Sequence, residues 1–212
     1  MGERLRNRQE ALGKAVSVGH VGVMRTAGAF HLRETTGTSG LEAALRSAVE
    51  ALARHEVPHL VVGGLAVQEH GYFRVTTDCD LVVPDVLDAV EVLVADLSGS
   101  FVKHGDCDDT VKYKRNGVLI NLLPAGHVLK AGCRVPFPVP IEVWDEPRFV
   151  SLEKLIALKL DSWSNSPNRR HKDKTDVIEL IQALRLPRDL AVDESVRTLY
   201  VETWDALAAE PG

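Results

Sequence analysis

Three cysteines, Cys79, Cys107 and Cys133, are all that this chain of 212 residues carries, and no two of them stand in a CxxC spacing. An odd, unpatterned set suggests neither a disulfide framework nor a zinc site, and fits reduced thiols. Long hydrophobic runs are missing as well: nothing approaches the length of a bilayer span, and the arginines near the start, Arg4, Arg6 and Arg8, are not followed by the apolar core of a secretory signal. The expectation is a cytoplasmic protein with no membrane partner. Positive charge is in deficit, with 25 Lys and Arg against 30 Asp and Glu and a formal net charge of -5. That balance argues against a broad nucleic-acid-coating surface while leaving room for a local basic groove. No repeat or low-complexity tract occurs.

What is present is an ordinary globular composition, 45% apolar and 26% charged, long enough for a sizeable core. Within it the stretch from His59 to Val83, HLVVGGLAVQEHGYFRVTTDCDLVV, is the most informative. Leu60-Val61-Val62 reads as a short buried strand, Gly63-Gly64 stops it, and Leu65 to His70 spans about two helical turns. A strand, a glycine turn and a helix start in that order let backbone approach a phosphate and aim unpaired N–H groups at it. Further on, Asp78-Cys79-Asp80-Leu81-Val82-Val83 is extended by composition, and the two-residue period of a strand sends Asp78 and Asp80 to one face. Side by side, two carboxylates repel and raise a pKa unless a cation sits between them, and Mg²⁺, which favours oxygen ligands and a phosphate, suits the place.

The combination of hydrophobic-Gly-Gly, thirteen residues, then Asp-x-Asp on an apolar run resembles the core motif of the nucleotidyltransferase superfamily related to polymerase β. The fuller wording, GGLAVQEHGYFRVTTDCDLVV, is similar to its small bacterial branch, which includes AbiE-type toxins and minimal nucleotidyltransferases. The resemblance spans roughly Leu41 to Leu184. It implies NTP as substrate, Mg²⁺ or Mn²⁺ at Asp78 and Asp80, an acceptor that is a tRNA end, a protein side chain or a small molecule, and membership in a toxin–antitoxin pair. Active members carry a third carboxylate on a strand beside the Asp-x-Asp strand. The equivalent position here, in Val118-Leu119-Ile120-Asn121-Leu122-Leu123, is Asn121, whose neutral amide can neither take up a proton nor match a carboxylate as a metal ligand. An amide in an apolar run must be paired or line a cavity, so Asn121 is expected at the cleft. Asp106, Asp108, Asp109 and Glu142 are candidates for the missing ligand.

Elsewhere, Met1 to Gly40 reads as a loose extension with a short hairpin around Val16 to Met24. Leu41 to His55 has the apolar spacing of one helix face, closed by Pro58. His70, Arg74, Thr76 and Thr77 form a polar approach to the aspartates. There Arg74 can hold a phosphate bidentately, and His70 either positions a nucleotide or bonds to backbone at its helix end. Pro84 and Asp85 start a helix to about Leu97, with Val86, Val90, Leu93 and Leu97 inward. Asn116-Gly117 predicts a two-residue type I′ hairpin turn, and Pro140 to Trp144, with Glu142, a strand.

Ser151 opens a helix whose apolar stripe, Leu152, Leu155, Ile156, Leu160 and Trp163, is interrupted by Lys159. A buried ammonium needs a carboxylate or a phosphate unless it snorkels, and Lys159→Met is expected to weaken NTP binding while leaving the fold intact or more stable. Asn165 to Lys174 reads as a basic loop, solvated or offered to a phosphate backbone. Asp173 to Leu184 and Asp193 to Ala209 read as helices. Asp173 and Asp176 either serve the start of their helix or, by the resemblance, belong with Lys159 and Lys172 to a Lys then Lys-Asp-x-x-Asp pattern, in which the lysine contacts nucleotide and the second aspartate organises the site.

The sequence thus predicts an α+β protein, a nucleotidyltransferase-like mixed sheet flanked by helices and followed by a C-terminal helical region. The divisions are an extension at 1–40, a core at 41–145 and helices at 146–212 that complete the cleft. The site residues are Asp78, Asp80 and Lys159 for catalysis, Asp78 and Asp80 for metal, and Gly63, Gly64, Arg74, Asn121, Lys172 and Asp176 for nucleotide. The expected activity is transfer of a nucleoside monophosphate from an NTP to a hydroxyl. The competing expectations are a degenerate fold that binds nucleotide or a partner without transfer, with Asn121 as the reason, and a scaffold in which the aspartates are only structural.

Overall fold

The computed structural model describes residues 39–209. Along them run helix α1 (Ser39–Arg54), strand β1 (Leu60–Val62), helix α2 (Gly63–Glu69), β2 (Asp78–Val83), α3 (Val86–Ala95), β3 (Phe101–Lys103), β4 (Thr110–Tyr113), β5 (Leu119–Pro124), α4 (Leu152–Ser164), α5 (His171–Leu184), a 3₁₀ turn (Glu194–Val196) and α6 (Arg197–Ala209). The hairpin expected around Val16 to Met24 lies outside the described residues.

The strands form one mixed sheet of five in the order β1-β2-β5-β4-β3, so the architecture is α+β. Only β2 and β5 pair in parallel; the other neighbours are antiparallel. Register places Val62 beside Asp80, Asp80 beside Asn121, and Asn121 beside Thr110. Since side chains of directly paired residues share a face, this row lays a carboxylate, an amide and a hydroxyl side by side across the middle of the sheet. The free edge of β1 is covered by the chain at 148–150, where Val61 N–H donates to Arg148 C=O at 2.7 Å and Val150 N–H to Val61 C=O at 3.0 Å.

On one face, α1 packs through Ala44, Leu45, Ala48, Val49 and Leu52, all fully buried, with Ser47 Oγ hydrogen-bonded to Tyr113 Oη on β4. Arg54 at the end of α1 forks onto the buried Asp96 just past α3 and helps hold that carboxyl far below the usual carboxylate range. The opposite face carries a second core, in which Val62, Ala66, Val67 and Val82 meet Leu155, Ile156 and Leu160 of α4 and Val177 and Leu180 of α5. Fully burying such side chains is worth roughly 1.5–3 kcal/mol each. This core fixes α4 and α5 over the face that carries Asp80.

Local chemistry sets the helix starts where the sequence placed them in two cases. Asp85 accepts from Asp88 N–H at 3.0 Å, and Ser151 accepts from Lys154 N–H at 3.4 Å. Four expectations need correction. Helix α3 ends at Ala95, and Leu97 is fully exposed rather than inward. The β4–β5 connection is not a two-residue type I′ turn. Tyr113 N–H bonds Val118 C=O and Gly117 N–H bonds Tyr113 C=O, leaving a four-residue loop in which Gly117 has φ 77° while Asn116 keeps a negative φ and uses its side chain to hold Gly40 C=O and Val118 N–H. Pro140 to Trp144 is not a strand but an exposed irregular segment, because it finds no edge to pair with. Helix α5 begins at His171, inside the stretch expected as loop.

Candidate active site

Strand β2 delivers Asp78 and Asp80 to the face under α2, α4 and α5, and the β1–α2 bend meets them. Gly63 has φ 67°, and a Cβ there would lie 1.9 Å from Asp80 Oδ2. A Cβ on Gly64 would lie 2.5 Å from Thr76 Oγ1. The glycine pair therefore makes room for the site's own side chains, and both glycines line the cleft. Thr76 Oγ1 donates to Asp78 Oδ1 at 3.3 Å.

Asn121, one strand over, joins the two acids. Its Nδ2 donates to Asp80 Oδ1 at 2.9 Å and lies 3.4 Å from Asp78 Oδ2. Burial pushes the Asp80 carboxyl above its ordinary pKa of 3.8; the Asn121 hydrogen bond opposes this, the Asp78 charge adds to it, and Lys159 and Arg170 pull it back. A carboxylate that is costly to ionise gains from a cation. Two hard oxygen donors beside an open cleft fit Mg²⁺, which commonly takes one or two carboxylates and completes its coordination with phosphate oxygens and water. Among the described residues no group of three or more His, Cys, Asp or Glu could hold a metal by itself, so the remaining positions would fall to substrate.

The facing wall is built by α4 and α5. Lys159, 7% exposed in its side chain, lies 2.6 Å from Asp176 Oδ2 and 3.0 Å from Asp173 Oδ1. Arg74 grips the same Asp176 with Nε at 2.6 Å from Oδ1 and a terminal nitrogen 3.0 Å from Oδ2. Ser162 Oγ donates to Asp173 Oδ2 at 2.7 Å. Two cations and two anions thus neutralise one another. Asp173 and Asp176 do not cap α5, whose N-cap is Arg170, although Asp173 lies in its first turn; Asp176 is fully buried behind the cleft, and Arg74, which also lines the cleft, donates to it from a terminal nitrogen. His70 turns away and bonds Val150 C=O through Nε2 at 2.8 Å, the helix-end role.

The cleft between these walls encloses about 430 Å³. It brings together Gly63, Gly64, Arg74, Asp78, Asp80, Asn121, Lys159 and Lys172. Arg170 also lines it, and neither Arg170 nor Lys172 has an ion-pair partner among the described residues. Of the candidate replacement acids only Asp109 reaches the cleft; Glu142 is exposed on the irregular segment, and Asp108 pairs with Lys103. Sequence reasoning missed Thr110, Ser162 and the apolar end formed by Leu129, Phe137 and Leu158. Thr110 was not within reach, because the two-residue turn read from Asn116-Gly117 would pair Asn121 with Lys112, whereas the four-residue loop sets Thr110 beside Asn121. Phe137 was not, because its position depends on Asp161 of α4 accepting from Arg134 and Val135 N–H at 2.7 and 2.9 Å.

No family model and no curated protein matches the chain by sequence. Among the solved structures similar to it are two of the same protein. One is the solution structure of the antibiotic-resistance factor ANT(2'')-Ia, with 15% identity and a TM-score of 0.46, covering 78% of this chain and 91% of that one. The other is ANT(2'')-Ia in complex with adenylyl-2''-tobramycin, with 14% identity and a TM-score of 0.47, covering 79% of this chain and 98% of that one. Similarity at this level assigns no substrate or activity to this chain.

Proposed function

We propose that this chain is a nucleotidyltransferase that moves a nucleoside monophosphate from an NTP to a hydroxyl acceptor and releases pyrophosphate. The observation that carries the proposal is the polarity of the cleft: Asp78 and Asp80 on its floor, and Arg170 and Lys172, without ion-pair partners, on its facing wall. A metal-bound triphosphate presents the matching pattern of charge. Mg²⁺, or Mn²⁺, held by Asp78 and Asp80 would neutralise the phosphates and favour in-line displacement. Asn121 aligns the two acids through its Nδ2. Arg170 and Lys172 bind the phosphate chain, while Lys159, Asp173, Asp176 and Arg74 brace the wall that carries them. The acceptor is a tRNA end, a protein side chain or a small molecule, and an antitoxin or toxin partner goes with the same proposal.

A second reading is favoured by one observation. Asn121 sits where a proton acceptor is wanted and donates to both acids, which suits a module that binds nucleotide without transferring it. Incubation with each α-labelled NTP, Mg²⁺ or Mn²⁺, and total RNA or lysate separates the two. Label transfer that is lost in Asp78→Ala and Asp80→Ala supports the enzyme. Nucleotide binding with no transfer under any condition supports the module, and no thermal shift with any NTP and Mg²⁺ removes both.

A further inference from the structure

A hydroxyl acceptor must lose its proton as it attacks, and no acid on the cleft floor is placed to take it. Asp78 and Asp80 serve the metal in the proposed reaction, Asn121 has no basic atom, and Asp173 is held by Lys159 at 3.0 Å and by Ser162 at 2.7 Å. One cleft acid remains. Asp109 stands at the entry to β4, lines the cleft and is exposed. Its Oδ1 accepts from Thr110 Oγ1 at 3.0 Å, and the same hydroxyl lies 3.3 Å from Asn121 Oδ1. Asp109 therefore joins the polar row through Thr110 and Asn121, whose Nδ2 reaches Asp80 at 2.9 Å. Its Oδ2 has no hydrogen-bond or ion-pair partner among the described residues.

We propose that Asp109 is the general base, so that the carboxylate absent from position 121 is supplied by the adjacent strand. This rests on the transferase reading. In the step, the acceptor O–H proton passes to Asp109 Oδ2 as the O–Pα bond forms; the bond from Pα to the bridging oxygen breaks, and its electron pair leaves with pyrophosphate. Thr110 holds the carboxylate by one oxygen and leaves the other for the acceptor.

The test uses the full chain with α-labelled NTP, Mg²⁺ and total RNA or lysate protein as the probe acceptor. Asp109→Ala is expected to melt like wild type and to bind a fluorescent NTP analogue within about twofold, yet to transfer label roughly 10²–10⁴-fold more slowly, the usual worth of a positioned base. Added formate should restore part of the rate in proportion to its concentration, and Asn121→Asp placed on Asp109→Ala should restore part without formate. A structural role would show neither rescue. Wild-type rates in Asp109→Ala, or loss that neither formate nor Asn121→Asp repairs, overturn the assignment of Asp109 and leave the transferase reading standing. No transfer by wild type to any probe, despite nucleotide binding, overturns that reading and this one with it.

Discussion

Replacing Lys159 by methionine keeps the length of the side chain and removes its charge, leaving Asp173 and Asp176 facing each other in a wall where Asp176 is fully buried and Lys159 is 7% exposed in its side chain. Taking one partner from a buried pair costs about 3–5 kcal/mol, because the remaining charge stays desolvated without compensation. Arg74 still holds Asp176, which places the expected loss near the low end of that range. For a chain of this size each kcal/mol lowers the melting temperature by about 2–4 °C. The sequence alone leads to the expectation of a fold left intact or more stable; the two carboxylates paired with Lys159 argue for a loss of stability. Urea unfolding at neutral pH measures it as a lower midpoint at constant slope. Lys159→Met combined with Asp173→Asn removes one charge of each sign, leaves the Arg74–Asp176 pair whole, and should recover most of the loss. A single variant that costs less than about 1 kcal/mol, the worth of a solvent-screened surface pair, would refute the reasoning.

Gly63→Ala forces a side chain to φ 67° and into Asp80; strain of about 1–3 kcal/mol should appear as a lower melting temperature, with loss of Mg²⁺-dependent nucleotide binding, and unchanged values for both would count against the site. Asn121→Asp sets a third negative charge against Asp78 and Asp80 and should cost roughly 1–3 kcal/mol without metal, with a larger Mg²⁺ thermal shift than wild type; identical melts with and without Mg²⁺ contradict this. Arg170→Ala with Lys172→Ala should weaken NTP binding at least tenfold, since hydrogen bonds to charged groups contribute about 1.5–3 kcal/mol each, and unchanged affinity would remove them from the phosphate path. Burial lowers the His59 pKa below its ordinary 6.5, against a weaker opposing bond to Val57 C=O. The folded state therefore binds this proton less readily than the unfolded chain, so its contribution is complete above pH 6.5 and is lost as pH falls from there toward the folded value. Stability against pH for wild type and His59→Phe should diverge in slope in that window, and parallel curves would show that His59 does not titrate between the two states.

Much of this was legible because it is local. The period of β2 put Asp78 and Asp80 on one face, the interrupted stripe of α4 marked Lys159 as needing a carboxylate or a phosphate, and Asp85 and Ser151 marked helix starts. What failed depended on partners far along the chain. Asn116-Gly117 carries the two-residue turn signal, but Asn116 spends its amide on Gly40, 76 residues away, and the loop widens to four. Pro140 to Trp144 alternates like a strand, yet the β1 edge is taken by residues 148–150. The choice of Asp109 over Glu142 among acids needed the sheet order, which no spacing reveals.

Strand β2 is hydrogen-bonded on both sides, to β1 and to β5, whereas Arg170 rides on a turn before α5. Amide exchange is therefore expected to be slow at Asp78 and Asp80 and faster at Arg170. On the proposed transferase reading, a ligand of slightly different length would find an unyielding seat on the sheet and, at Arg170, an adjustable brim.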